Sequence, residues 1–91
     1  MAALRLRPDT LHWRRIDDEV IAIDIRASTY LSANGSGALL WEALAEGATR
    51  EELAELLVHA FDIDRARAIT DVESFLDDLT ARGLLVDEAA P

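Results

Sequence analysis

The sequence contains no cysteine and no lysine. The first absence excludes disulfides, thiolate nucleophiles, cysteine-based zinc sites and iron–sulfur clusters. The second removes Schiff-base chemistry and the lysine of a phosphate-binding loop, because all nine basic residues are Arg. Nowhere is there a run of about 18 apolar residues that would span a bilayer. The N-terminal stretch Met1-Ala2-Ala3-Leu4-Arg5-Leu6-Arg7-Pro8 lacks the apolar core of a secretory signal. A cytoplasmic protein without a membrane partner is expected.

What is present is 91 residues, 51% of them apolar, enough for one modest core. A single domain is expected over residues 1–91, with its folded core at about 8–86 and flexible ends. The formal net charge is −9, and it is unevenly placed. Residues 1–41 hold five acids and five Arg, whereas residues 42–91 hold thirteen acids and four Arg. Such a field repels phosphate backbones and anionic lipid and attracts a basic segment. Solvated helix faces account for the same charge equally well.

The chain reads as strands first and helices after. Leu11, Trp13 and Ile16 favour extended structure, and Asp17-Asp18 marks a tight turn. The segment from Glu19 to Ile25 is rich in β-branched residues, and its period of two puts Ile21, Ile23 and Ile25 on one face, expected to be buried. Ser28-Thr29-Tyr30-Leu31-Ser32 is a short third strand, stopped by Asn34-Gly35-Ser36-Gly37. A meander of this kind leaves its last strand as an edge with unpaired backbone groups.

Three helices follow. The first runs from Ser36 to Ala45 and closes at Gly47. The second opens on a capping box formed by Thr49 and Glu52 and reaches Ala60 or Phe61. The third starts after Asp62-Ile63-Asp64, carries Ile69, Val72, Phe75, Leu76 and Leu79 at three- and four-residue spacing, and ends at Arg82-Gly83. Leu84-Leu85-Val86 returns as a small strand or an apolar tail, and fraying is expected from Asp87 onward.

No constellation of residues carries catalysis, and no cofactor or metal is called for. His12 and His59 fall in different elements without the spacing of a metal site or triad. Asp62-x-Asp64 resembles the start of a calcium loop, but Ala66 and Ala68 stand where oxygen ligands belong; a helix N-cap explains it better. Trp13 and Trp41 are expected in the core, since base-stacking platforms need a basic groove and the charge here has the wrong sign. Adjacent acids such as Asp77-Asp78 diverge by about 100° on a helix and do not converge on one site.

Several local patterns, taken in order, resemble the PqqD-like family, the recognition elements for precursors of ribosomally made, modified peptides. They are Leu11-His12-Trp13-Arg14, Val20-Ile21-Ala22-Ile23-Asp24, the run from Tyr30 to Trp41, Gly47-Ala48-Thr49-Arg50-Glu51-Glu52-Leu53, the run from Val72 to Leu79, and Gly83-Leu84-Leu85. The resemblance covers roughly Pro8 to Val86. One departure is Ala33, where the family usually has Leu before the Asn of the strand-to-helix turn.

The resemblance implies an α+β, winged-helix-like fold, a three-stranded antiparallel sheet followed by three helices. It also implies a non-catalytic function: binding the leader part of a precursor peptide as an added strand beside the third strand, in the cleft facing the third helix. On this sequence the ladder would come from Ser28, Thr29, Tyr30 and Leu31, with Val20 and Ile23 in the strand behind. Val72, Phe75, Leu76 and Leu79 are the candidates for the opposite wall, some of them necessarily core, with Phe75 favoured over Leu76. Asp71 and Asp78, joined by Asp77, would steer a basic leader.

Free-standing members of the family serve lasso-peptide pathways, with a separate leader peptidase and a macrocyclase as partners, and pyrroloquinoline quinone biosynthesis, where the chaperone meets a radical enzyme. The lasso role is the preferred expectation. A winged-helix DNA-binding protein is the alternative from another class, but its recognition helix would carry Asp71, Glu73, Asp77 and Asp78.

Overall fold

The computed structural model describes residues 3–9 and 11–87. Its elements in chain order are β1 (Ala3–Leu6), β2 (Leu11–Ile16), β3 (Glu19–Asp24), β4 (Thr29–Asn34), α1 (Ser36–Glu46), β5 (Ala48–Thr49), α2 (Arg50–Phe61), α3 (Arg65–Ala81) and β6 (Leu85–Asp87). The fold is α+β, as expected, with three helices and two antiparallel three-stranded sheets in place of one.

The sheet anticipated from sequence has the order β2-β3-β4. Asp17, in the left-handed region at φ 55°, makes the tight turn between β2 and β3. The register pairs Trp13 with Ala22, and Ala22 in turn with Leu31; His12 pairs with Ile23, and Ile23 with Tyr30. β4 has β3 on one side and no strand on the other among the described residues.

The second sheet, β5-β1-β6, was not anticipated. β1 alternates Leu4 and Leu6 into the core against the half-buried Ala3 and exposed Arg5, and pairs with Ala48–Thr49 on one side and Leu85–Asp87 on the other. The core therefore reaches back to Leu4, ahead of the start expected near residue 8. Asp87 belongs to β6, so the fraying expected from Asp87 onward does not begin at that residue; residues 88–91 lie outside the described residues.

Each helix has a local reason for its limits. Thr49 and Glu52 form the predicted capping box, with Glu52 N–H donating to Thr49 Oγ1 at 3.1 Å and Thr49 N–H to Glu52 Oε1 at 2.8 Å. Asp64 caps α3 by accepting from Arg67 N–H at 2.8 Å, so the Asp62/Asp64 pair is a helix boundary. α3 closes in a Schellman arrangement: Gly83, at φ 72°, donates to Thr80 O, and Leu84 N–H reaches back to Leu79 O, both at 3.0 Å.

The core lies between the β2-β3-β4 sheet and the helices. Leu40 and Leu44 of α1, Leu53 and Leu57 of α2, and Val72, Leu76 and Leu79 of α3 are buried with Leu84 and Val20. Fully burying a side chain of this size contributes about 1.5–3 kcal/mol. Ile69, placed in the apolar stripe of α3 by spacing alone, is exposed. Trp41 is 2% exposed, but Trp13 is 38% exposed and meets Trp41 edge-on.

One expectation is inverted. In β3 the buried residues are Val20, Ala22 and Asp24, while Ile23 is 49% exposed, Ile25 just beyond the strand is 56% exposed, and Ile21 is half-buried. Alternation was correct and the choice of face was not. Asp24 takes an inward position because its Oδ1 accepts from the backbone N–H of Arg26 at 3.1 Å and of Ala27 at 3.4 Å, which satisfies a buried carboxylate at the strand end.

Candidate functional site

The edge of β4 left open among the described residues faces α3 across a cleft. Two elements create it: β4, which ends at Asn34 and turns through Gly35 into α1, and α3, which runs antiparallel to it from Arg65 to Ala81. The cleft holds about 200 Å³ and is lined by Val20, Ala22, Tyr30, Leu31, Ser32, Ala33 and Trp41 on one side and Phe75, Asp78, Leu79 and Arg82 on the other. Its floor is apolar and its α3 rim is charged.

Tyr30 and Leu31 stand on opposite faces of β4, as the strand period requires. Tyr30, paired with Ile23, is 64% exposed, whereas Leu31, paired with Ala22, packs against the core. Phe75 is half-buried and closes one end: a Cβ added to Gly37 would come within 3.5 Å of its Cε1 and 3.3 Å of Ala33 Cβ. Ala33 is thus small at a crowded point, and its size keeps the cleft open beside Phe75.

Two further depressions continue the cleft. Toward the start of β4, one of about 190 Å³ is lined by Asp24, Ala27, Thr29, Leu31, Arg82 and Leu84. Toward its end, another is lined by Ser36, Gly37, Leu40, Asp71, Ser74, Phe75 and Asp78. Of the eleven residues selected from sequence, Val20, Tyr30, Leu31, Phe75, Asp78 and Leu79 line the central cleft, and Thr29 and Asp71 its extensions.

Three do not. Val72 is 1% exposed and belongs to the core under α3, so it forms no part of the wall. Ile23 points to the opposite face of the sheet, where it lines a separate hollow with His12 and Arg14. Ser28 precedes the strand in a turn at φ 53°, its N–H directed to Ile25 O at 3.4 Å. The strand edge is Thr29–Asn34, shifted toward the helix from the expected 28–31.

Ala22, Ser32, Ala33, Trp41 and Arg82 line the cleft without having been selected. Arg82 was findable, since it stands four residues after Asp78 on the same helix face; its Nε lies 3.4 Å from Asp78 Oδ2. Trp41 was assigned to the core alone, and it is both buried and part of the cleft wall. Its indole N–H has no acceptor among the described residues.

The acids on α3 are shared with arginines. Asp71 lies 3.8 Å from Arg67 and Glu73 2.9 Å from Arg50 on α2, all on exposed side chains where such pairs contribute about 0–1 kcal/mol. Among the described residues no group of three or more His, Asp or Glu could hold a metal ion. His12 and His59 are both exposed, His59 lying 3.3 Å from Glu55 on its own helix. No described helix is long and apolar enough to cross a membrane.

A comparison with curated proteins gave no match. Among solved structures, TbiB1 in complex with the TbiA(β) leader peptide is 26% identical with a TM-score of 0.82, over 96% of this chain and 98% of that one. A lasso peptide synthetase B1 complexed with its leader peptide is 24% identical with a TM-score of 0.78, over 91% and 96%, and shares the fold. The family model for coenzyme PQQ synthesis protein D (PqqD) matches residues 19–85, from the first residue of β3 into β6. With that match extending over well more than half of its length, the chain belongs to the PqqD family.

Proposed function

We propose that this chain binds the leader region of a ribosomally synthesised precursor peptide as an added strand on β4, and hands it to a separate leader peptidase and macrocyclase in lasso-peptide biosynthesis. The observation that carries the reading is the free edge Thr29–Asn34 standing over an apolar cleft walled by α3. The similar TbiB1 structure, itself bound to a leader peptide, supports it.

The chemistry follows from the geometry. Backbone N–H and C=O groups of β4 would pair with an extended segment, and alternate peptide side chains would enter the cleft. A few such hydrogen bonds contribute about 1 kcal/mol each, so tight binding also needs apolar anchors against Leu31, Phe75 and Leu79. The reading assigns the chain no catalytic step. Chaperoning in pyrroloquinoline quinone biosynthesis is the second reading, favoured by the description of the family model.

The test is a titration of the isotope-labelled protein with leader peptides of lasso precursors and of the quinone precursor. Saturable binding is expected, with the largest amide shifts in Thr29–Asn34 and along α3 from Asp71 to Arg82. Absence of saturation, or shifts that spare β4, would sink the reading. Saturation by the quinone precursor and not by a lasso leader would select the second.

A further inference from the structure

The two ends of the cleft differ in charge. At the end of β4 stands Asp71, in the depression with Ser36 and Phe75, whereas Asp78 also lines the central cleft and lies 3.4 Å from Arg82. At the start of β4 three arginines gather about Gly83. Arg7 Nε donates to Gly83 O at 3.1 Å, Arg26 Nη2 lies 3.2 Å from the point where a Cβ on Gly83 would stand, and Arg82 is its neighbour in the chain and lines the depression with Thr29.

This basic cluster occurs in a chain of net charge −9, so it is not a sample of the general surface. The Schellman turn of α3 builds it, by bringing Gly83 under Arg26 and against Arg7. Asp24 lies in the same depression, but its Oδ1 is occupied by two backbone N–H groups. Arg26 makes no side-chain hydrogen bond or ion pair among the described residues, and Arg7 and Arg82 keep guanidinium donors beyond the single Nε contacts described. Asp71 and Asp78 have only the exposed contacts to Arg67 and Arg82 at 3.8 and 3.4 Å.

The two poles match in reach. From Asp71 to Arg82 the helix rises roughly 16 Å at about 1.5 Å per residue. From Thr29 to Asn34 the strand advances roughly 17 Å at about 3.3 Å per residue. One extended segment thus passes both poles. Every strand pairing in the described residues is antiparallel, the slightly more stable ladder. A strand added to β4 in that sense begins beside Asn34 and ends beside Thr29.

Building on the peptide-binding reading above, we propose that the cleft selects its peptide by charge order. A Lys or Arg near the N-terminal end of the bound segment meets Asp71, and an Asp or Glu about four to six residues later meets Arg7, Arg26 and Arg82. The preferred segment is dipolar, not uniformly basic, and the order of its charges fixes its direction in the cleft.

The experiment selects a display library of random peptides about twelve residues long on the wild-type protein. It then measures the best binder beside a counterpart of identical composition with the two charged positions exchanged. Enrichment of Lys or Arg before Asp or Glu is expected, with the exchanged peptide weaker by about tenfold and the gap closing in high salt. The double variant Arg26→Glu/Arg82→Glu should lose the preference for the downstream carboxylate, and Asp71→Arg that for the upstream base, with circular dichroism confirming the fold of each.

Selected peptides without charge order, with the reverse order, or equal in affinity to their exchanged counterparts would overturn the proposal and leave peptide binding standing. Failure to select any peptide would overturn both.

Discussion

The ring of Trp13 meets that of Trp41 edge-on, with centroids 6.3 Å apart and planes at 74°. The pair joins β2, on the far side of the sheet from the free edge, to a helix residue in the cleft wall. These are the only two tryptophans in the chain.

Intrinsic fluorescence therefore reports on the cleft. Peptide binding is expected to shift the emission of Trp41, and Trp13→Phe should keep that response while losing the exposed, red-shifted component. A titration in which the Trp13→Phe protein binds peptide with no change in emission would show that the segment does not reach Trp41.

A proline scan of β4 should alternate. In an antiparallel edge strand successive N–H groups point to the neighbour and away from it in turn. Proline at residues whose N–H faces outward removes a donor from the added strand and should weaken peptide binding at least tenfold with little effect on thermal stability. At the intervening residues it breaks the ladder to β3, leaves a carbonyl of that strand unpaired and should destabilise the fold by about 1–3 kcal/mol. Uniform effects from Tyr30 to Ala33 would argue against an augmented strand.

Val72 and Phe75 lie one turn apart on α3 and should separate stability from binding. Val72→Ala removes two buried methyl groups, so a loss of about 2 kcal/mol in chemical denaturation is expected with unchanged affinity. Phe75→Ala, at the half-buried cleft end, should cost less stability and weaken peptide binding by about tenfold or more. The opposite split would return Phe75 to the core.

Gly83→Ala places a side chain at φ 72°, which an L-residue adopts at a cost of about 1 kcal/mol. The new methyl would also meet the far end of Arg26, a flexible group able to move aside. A fall of a few degrees in Tm is expected. A larger loss would mean that the Schellman turn holds β6 as well as α3.

What the sequence made legible was local. The Thr49–Glu52 capping box, the stop at Gly47 and the turn at Asn34-Gly35 are each set by chemistry within a few residues, and each appears where expected. β1 was hidden because Ala3-Leu4-Arg5-Leu6 is too short to announce itself, and its partners lie more than 40 and 70 residues away. The face of β3 was misjudged because a period of two fixes alternation and not which side meets the helices. The cleft position followed from the family pattern, but Val72 and Phe75 share one apolar stripe, and only the packing of α3 on the core divides them.

The outward isoleucines have a consequence for handling as well as for fold. Exposed isoleucines beside a strand edge left open among the described residues favour association between copies of the chain, which a net charge of −9 opposes. Half of the carboxylate side chains lie on the three helices, and Asp17, Asp18 and Glu19 stand at the turn of the sheet itself. Colloidal stability should vanish as the solution approaches the isoelectric point near pH 4.4, where the apolar face meets its own copies without opposition.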